Sequence, residues 1–238
     1  MHRFFTTEIQ PNTAAVRGED VKHIAKVLRL HAGDAVQLCD GNGMECDAAI
    51  TAVSSDAVTF DTQPWRRAES EPEAKVTLFQ SLPKTGKMET IIQKCVELGA
   101  SGFVPVQSER CVVVLKQPYE DRIARWQRVS EEAAKQSRRG VIPKVMLPEM
   151  LSKLDFSSFE TVLVAYENEH TVSLKTALRS QCGKTIAIVI GPEGGFSDAE
   201  IETLEKKGAR TVSLGTRILR TETAGMAMLA QIMYELEQ

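Results

Sequence analysis

From Lys75 onward the apolar positions follow two alternating rhythms. Short runs rich in β-branched residues predict buried strands: Val76 to Gln80, Phe103 to Val106, Thr161 to Tyr166, Thr185 to Ile190 and Thr211 to Leu214. Between them, apolar residues recur every three or four positions. Lys87 to Leu98 turns Met88, Ile91, Ile92, Cys95 and Val96 to one side and is closed by Gly99. A long helix is predicted over about Tyr119 to Arg138. Another starts at the capping-box spacing Ser197-Asp198-Ala199-Glu200 and stops before Gly208, and a last one runs from about Thr223 to Leu236. This alternation predicts an α/β fold with a mostly parallel sheet covered on both faces.

The first 65 residues or so read differently. Val21, Ile24, Val27 and Leu28 have helical spacing behind the acidic pair Glu19-Asp20. Ala35 to Cys39 and Cys46 to Val53 flank Asp40-Gly41-Asn42-Gly43, a hairpin signal, and Ala57 to Phe60 supplies a third strand. Short strands around one helix predict a small barrel. The polar stretch Gln63 to Ala74 reads as a linker, so the expected domains are residues 1–70 and 74–238. The last helix carries Ala224, Met226, Ala227, Met228, Leu229, Ala230, Ile232, Met233 and Leu236, apolar on more than one face. Such a surplus predicts a second partner, either a neighbouring helix or another copy of the chain.

Two glycine-punctuated segments hold the candidate chemistry. Ile190-Gly191-Pro192-Glu193-Gly194-Gly195-Phe196 and Leu214-Gly215-Thr216-Arg217-Ile218-Leu219-Arg220-Thr221-Glu222-Thr223-Ala224 each follow a predicted strand. The C-terminal ends of parallel strands are where α/β sheets hold ligands. Glycine lets the main chain come close to a ligand because no Cβ intervenes. The pattern predicts an enzyme site built largely from backbone groups.

Composition narrows the classes. The chain is 42% hydrophobic and 26% charged, ordinary for a globular protein, and its longest apolar stretches, such as Val162 to Ala165, are far too short to span a bilayer. The N-terminus lacks a signal-peptide core. Five cysteines form no Cys-x-x-Cys pair and the four histidines lie apart, so reduced thiols, no metal site and a cytoplasmic location are expected. A net charge of −3 excludes nucleic-acid binding by the whole surface but not by a patch. From Arg110 to Lys144 nine Lys/Arg (with Lys116, Arg122, Arg125, Arg128 and Lys135 among them) stand against four acids. That excess suits either a phosphate-binding patch or a solvated helix face with pairs such as Arg128 and Glu132.

The two glycine segments resemble the cofactor loops of the SPOUT superfamily of RNA methyltransferases, and most closely its RsmE family. His23-Ile24 through Val27-Leu28-Arg29 resembles the N-terminal signature of that family, and Glu132-Ala133-Ala134-Lys135-Gln136-Ser137-Arg138 with Pro143 resembles its central one. The family has Glu-Gln where Lys135-Gln136 stands here. The resemblance implies S-adenosylmethionine as methyl donor, N3 of a uridine in 16S rRNA (uridine 1498) as acceptor, and action on the 30S subunit. It also implies a PUA-like N-terminal domain, a C-terminal trefoil knot and a homodimer with each site beside the subunit boundary.

On this reading the cofactor cradle is made by Ile190, Gly191, Gly194, Leu214, Gly215, Ile218 and Leu219, with Ala165 and Glu167 as a third edge; for Ile218 and Leu219 the alternative is plain core packing. Uracil N3 must lose a proton before it attacks. A carboxylate (Glu193 or Glu222) and a cation (Arg220 or Arg217) near the glycines suit that chemistry, although Glu222 and Arg220 also suit a helix start and its partner. Arg110, Arg138 and Arg139 are candidate phosphate contacts, joined by Arg3, Lys22, Lys26 and Arg29 from the first module, where solubility is the alternative. Three other functions stay open: a ribose 2′-O-methyltransferase, a non-catalytic ribosome-assembly factor, and a phosphate-binding NTPase. The last is weak, because Thr85-Gly86-Lys87-Met88 lacks the upstream glycine and the Ser/Thr of a phosphate loop.

Overall fold

The computed structural model describes residues 1–84, 86–114, 118–180 and 182–237; Thr85 of the phosphate-loop comparison and Lys116 of the basic stretch lie outside them. The chain divides into two compact units, one of Met1–Glu71 with Ala134–Ile142 and one of Pro72–Ala133 with Pro143–Gln238.

The first unit is a curled sheet. Its strands are β1 (His2–Phe5), β2 (Glu8–Ile9), β3 (Thr13–Arg17), β4 (Ala35–Cys39), β5 (Met44–Val53), β6 (Ala57–Thr62) and β7 (Arg66–Arg67). They pair in the order β1-β4-β5-β6-β3-β2, with β7 added to β5; β1 and β4 run parallel and the other pairs antiparallel. Alternate residues point inward, so Phe4, Val16, Val36, Leu38, Ile50, Val58 and Phe60 share one core. The hairpin between β4 and β5 forms as expected: Gly41 and Gly43 take positive φ, and Asp40 accepts from the N–H groups of Asn42 and Met44.

Sequence pattern missed β1, β2, β3 and β7, since strands of two to four residues and the weakly apolar Thr13–Arg17 carry little periodicity. The predicted helix at Val21 is a single turn, α1 (Glu19–Lys22), which widens into a π-helix over His23–Val27 closed by the Leu28 N–H on the His23 carbonyl. The wider turn keeps Val21 and Ile24 inside and leaves Val27 66% exposed.

Part of the predicted linker is pinned. Glu71 accepts from the Arg139 guanidinium at 2.7 Å and from the N–H groups of Gly140 and Val141 at 2.8 and 3.1 Å. Lys135 pairs with Asp20 at 3.0 Å.

The second unit is a parallel sheet with helices. In chain order it contains β8 (Lys75–Ser81), α2 (Lys87–Glu97), β9 (Gly102–Gln107), α3 (Glu120–Gln136), β10 (Lys144–Val145), β11 (Glu149–Met150) and β12 (Thr161–Ala165). There follow α4 (Leu174–Ser180), β13 (Thr185–Ile190), α5 (Asp198–Lys206), β14 (Arg210–Val212) and α6 (Thr221–Leu236). Strand order is β10-β9-β8-β13-β12-β14, all parallel, with β11 extending the β10 edge along β9.

One core cluster of the second unit gathers Phe79, Phe156, Val164, Val189 and Leu204, with Phe79 edge-on to Phe156 at 5.1 Å. Each such side chain contributes about 1.5–3 kcal/mol when fully buried. Elsewhere in this unit α6 lies against β8, β13, α2 and α4. The chain's late strands β12, β13 and β14 thus release their loops on one side of the sheet, where the glycine segments lie.

Candidate active site

Three loops meet at the C-terminal ends of β12, β13 and β14 and enclose a cleft of about 790 Å³, within the usual range for a small-molecule site. Ala165, Tyr166 and Glu167 come from the first loop, Ile190, Gly191, Glu193 and Gly195 from the second, and Leu214 through Arg220 from the third.

The loops are held by specific contacts. Thr221 opens α6 and donates its hydroxyl to the Gly191 carbonyl at 2.6 Å, while the buried Gln80 amide donates to Thr221 at 2.9 Å. The N–H of Gly195 closes a turn on the Pro192 carbonyl at 3.0 Å. Gly195 has φ +66°, a left-handed conformation that favours glycine, and the tip of the Glu167 side chain lies where a Cβ would be. Gly215 shares that reason: its φ of +118° favours glycine, although nothing crowds the position.

The main chain from Thr216 to Leu219 makes no hydrogen bond among the described residues, leaving its donors and acceptors free for a ligand. Ile218 is 88% exposed, which removes the core-packing alternative for it. An apolar-walled cleft with unused backbone groups and the Glu167 carboxylate fits an adenosine-bearing molecule.

Glu193 and Glu222 are not free acids. The Lys87 ammonium lies 3.0 Å from Glu193 Oε1 and 3.0 Å from Glu222 Oε2, and the Lys84 N–H also donates to Glu193. Burial raises the Glu193 pKa, but the Lys84 and Glu193 N–H groups and Lys87 outweigh it and hold the carboxyl below its usual range. Glu222 is also lowered, first by its own backbone N–H, against burial, then by Lys87 and by the charge of Arg220. Two ionised acids sharing one cation make poor proton acceptors. Arg217 and Arg220 line the cleft with exposed side chains and make no side-chain hydrogen bond or ion pair among the described residues.

Sequence reasoning passed over Lys87, reading it as the first residue of a helix and as part of a failed phosphate loop. The signal was its place just after β8, whose end faces the same side as β13.

Several expectations need correction. Gly194 does not line the cleft; its carbonyl accepts from Arg110 at 3.0 Å, and a Cβ would meet the Arg110 side chain at 3.2 Å. Arg110 therefore braces this loop as well as lying at the surface. Arg3 is not a free phosphate contact: its side chain is 9% exposed and bonded to Gln37, Glu45 and the Arg138 carbonyl. Arg139 is likewise buried on Glu71. Lys22, Lys26, Arg29 and Arg138 remain exposed, and among the described residues Arg29 and Arg138 are the non-glycine residues with positive φ, at 54° and 60°.

Burial pushes the Cys39 and Cys95 thiols up to about 12 and Cys46 to about 11, so none is an activated nucleophile. Among the described residues no group of His, Cys, Asp and Glu is placed to hold a metal ion, and no helix is long and apolar enough to cross a membrane.

Comparison with known proteins decides the family. Residues 69–233 match the model of an RNA methyltransferase domain and residues 16–63 that of an RNA methyltransferase PUA domain. Ribosomal RNA small subunit methyltransferase E of Bacillus subtilis (strain 168) is 37% identical over 94% of this chain and 91% of its own length. The chain belongs to the ribosomal RNA small subunit methyltransferase E family. The family protein of Synechocystis (strain PCC 6803) is 35% identical over 92% of this chain and 72% of its own. The Neisseria gonorrhoeae methyltransferase E, crystallised with S-adenosyl methionine, superposes with a TM-score of 0.87 at 30% identity, over 99% of this chain and 98% of that one. A Legionella pneumophila methyltransferase in complex with the same cofactor gives a TM-score of 0.84 at 28% identity, over 98% and 97% of the two chains.

Proposed function

We propose that this protein methylates N3 of a uridine in small-subunit ribosomal RNA, the uridine numbered 1498, with S-adenosylmethionine as donor. Membership of the methyltransferase E family carries the reaction class and the RNA. The observation that carries the site is the free main chain of Thr216 to Leu219 facing the Gly191 and Gly195 loop across one cleft.

The bound cofactor supplies an electrophilic methyl group on a sulfonium, a transfer that needs no metal and no covalent enzyme intermediate. This chain supplies position. Backbone groups of residues 216–219 and the walls Ala165, Ile190, Leu214 and Leu219 orient the donor, and Glu167 closes the third edge. The acceptor base must be unpaired or flipped, since pairing hides N3. Exposed Lys22, Lys26, Arg29 and Arg138 of the first unit are assigned to the RNA backbone.

The reading extends to action on the 30S subunit in the cytoplasm, to the knotted threading of the glycine loops, and to a homodimer that covers exposed apolar side chains such as Ile218 and Tyr234. The test is incubation with labelled S-adenosylmethionine and under-methylated 30S subunits, followed by nucleoside mapping with mass spectrometry. Label at N3 of one uridine is expected; label at a ribose 2′-oxygen, or none, overturns the reading.

A further inference from the structure

Lys87 breaks a local rule. It is the first residue of α2, where free N–H groups and the positive end of the helix dipole disfavour a cation, and Gly86 before it offers no side-chain cap. Two carboxylates from other elements nevertheless clamp its ammonium, Glu193 from the loop after β13 and Glu222 from α6. Residues that violate local preferences concentrate at functional sites.

An ammonium has three N–H bonds. Two of them go to the carboxylates, and the third has no partner among the described residues, although Lys87 lines the cleft and is 29% exposed. Hydrogen bonds to Glu222 and then Glu193 raise the Lys87 pKa, so it stays charged and cannot act as the base. The other charged groups around this cluster are Arg220, beside Glu222, and Lys84, whose N–H meets Glu193.

We propose that Lys87 is a catalytic residue that gives its third N–H to a ring oxygen of the acceptor uracil. The inference rests on the uridine-N3 reading above. Loss of the N3 proton to solvent water leaves a negative charge spread over N3 and the two ring carbonyl oxygens. The N3 lone pair forms the new N–C bond as the C–S bond of the sulfonium breaks and its electrons remain on sulfur. The products are N3-methyluridine, S-adenosylhomocysteine and one proton in water. A donor already fixed where charge develops stabilises that anion without reorganising, and Lys87 is fixed by two ion pairs while Arg217 and Arg220 are not.

The experiment compares wild type, Lys87→Met and Lys87→Arg. Cofactor affinity is measured by calorimetry and folding by thermal unfolding. The rate is followed against pH on 30S subunits reconstituted with 16S rRNA containing uridine or 5-fluorouridine, whose N3 is more acidic. Lys87→Met is expected to lose about 10²-fold in kcat at neutral pH while cofactor affinity stays within about threefold. The loss should shrink as pH rises and shrink with 5-fluorouridine, and Lys87→Arg should recover part of the rate. A loss equal at every pH and with both acceptors makes Lys87 a strut and overturns the role. Loss of cofactor affinity in both variants overturns it as well. A wild-type protein that leaves uridine N3 unmethylated overturns the function reading and this role together, whereas the other outcomes leave that reading standing.

Discussion

Single residues hold this site in shape through contacts that have no sequence signature. Gly195 stands as one glycine of a motif, and its reason is a left-handed φ of +66°, with the tip of the Glu167 side chain, 28 residues earlier, as the group a Cβ would push aside. Gly195→Ala should therefore cost about 1–3 kcal/mol in left-handed strain and displaced contacts, and it should weaken cofactor binding in calorimetry. An unchanged thermal midpoint and affinity would show that the loops have room.

Glu169 gives a pH prediction at the same scale. Its carboxylate takes hydrogen bonds from the Thr171 hydroxyl and N–H, the Val172 N–H and the Thr211 hydroxyl, which outweigh burial and bring its pKa from 4.5 to about 2. A lowered carboxyl pKa stabilises the fold fully above the unfolded value and loses that contribution as pH falls toward the folded one. The stability difference between wild type and Glu169→Gln should accordingly narrow between pH 4.5 and 2 in urea titrations. A constant difference would mean that the clasp is not ionic. Glycine positions and acid-base types could be read along the chain, whereas the Lys87 bridge joins residues 106 and 135 positions apart and exists only once the sheet has formed.

At the scale of elements, periodic helices and unbroken apolar runs were legible, and short elements without either were not. The helices α2, α5 and α6 are near their predicted places because their apolar positions recur over several turns, and β12 and β13 because each is an unbroken buried run. The seven-residue α4 carried too few turns to register.

Helix α6 meets one of the two partners that its apolar surplus predicts, a neighbouring helix. The second apolar face lies against α2 and α4 of the same chain, and Met233, 7% exposed, sits close to Gly99. Met233→Glu should hence lower the thermal midpoint steeply, since it buries an unpaired charge. Tyr234→Glu is the probe for assembly, because Tyr234 is 78% exposed. Sedimentation equilibrium on wild type and Tyr234→Glu would then read association apart from folding; a Met233→Glu protein with normal stability would return α6 to the surface.

For the whole molecule, the basic stretch from Arg110 to Lys144 is not one face. Arg125 pairs with Glu89 and Lys135 with Asp20, Arg139 is buried, and the stretch is divided between the two units. Charge counting could not see this, because partners arrive from distant segments. The expected consequence separates two neighbours. Arg138→Ala should flatten the salt dependence of RNA binding by roughly 0.7–0.9 in log–log slope and leave stability unchanged. Arg139→Ala should cost about 3–5 kcal/mol of stability by stranding the Glu71 carboxylate. Equal effects of the two variants on the salt slope would restore a continuous patch.

The clasp of Glu71 by residues 139–141 also has a consequence in time. A ribosome making this chain finishes the strands of the first unit long before the segment Ala134–Ile142 that completes it. At translation speeds of roughly 5–20 residues per second, the intervening stretch takes on the order of 3–12 s to make. Through that interval Glu71 and Asp20 wait without Arg139 and Lys135, and the N-terminal sheet depends on its own hydrophobic interior. The protein's first-made unit is therefore incomplete until β8, β9 and most of α3 of the second have been synthesised.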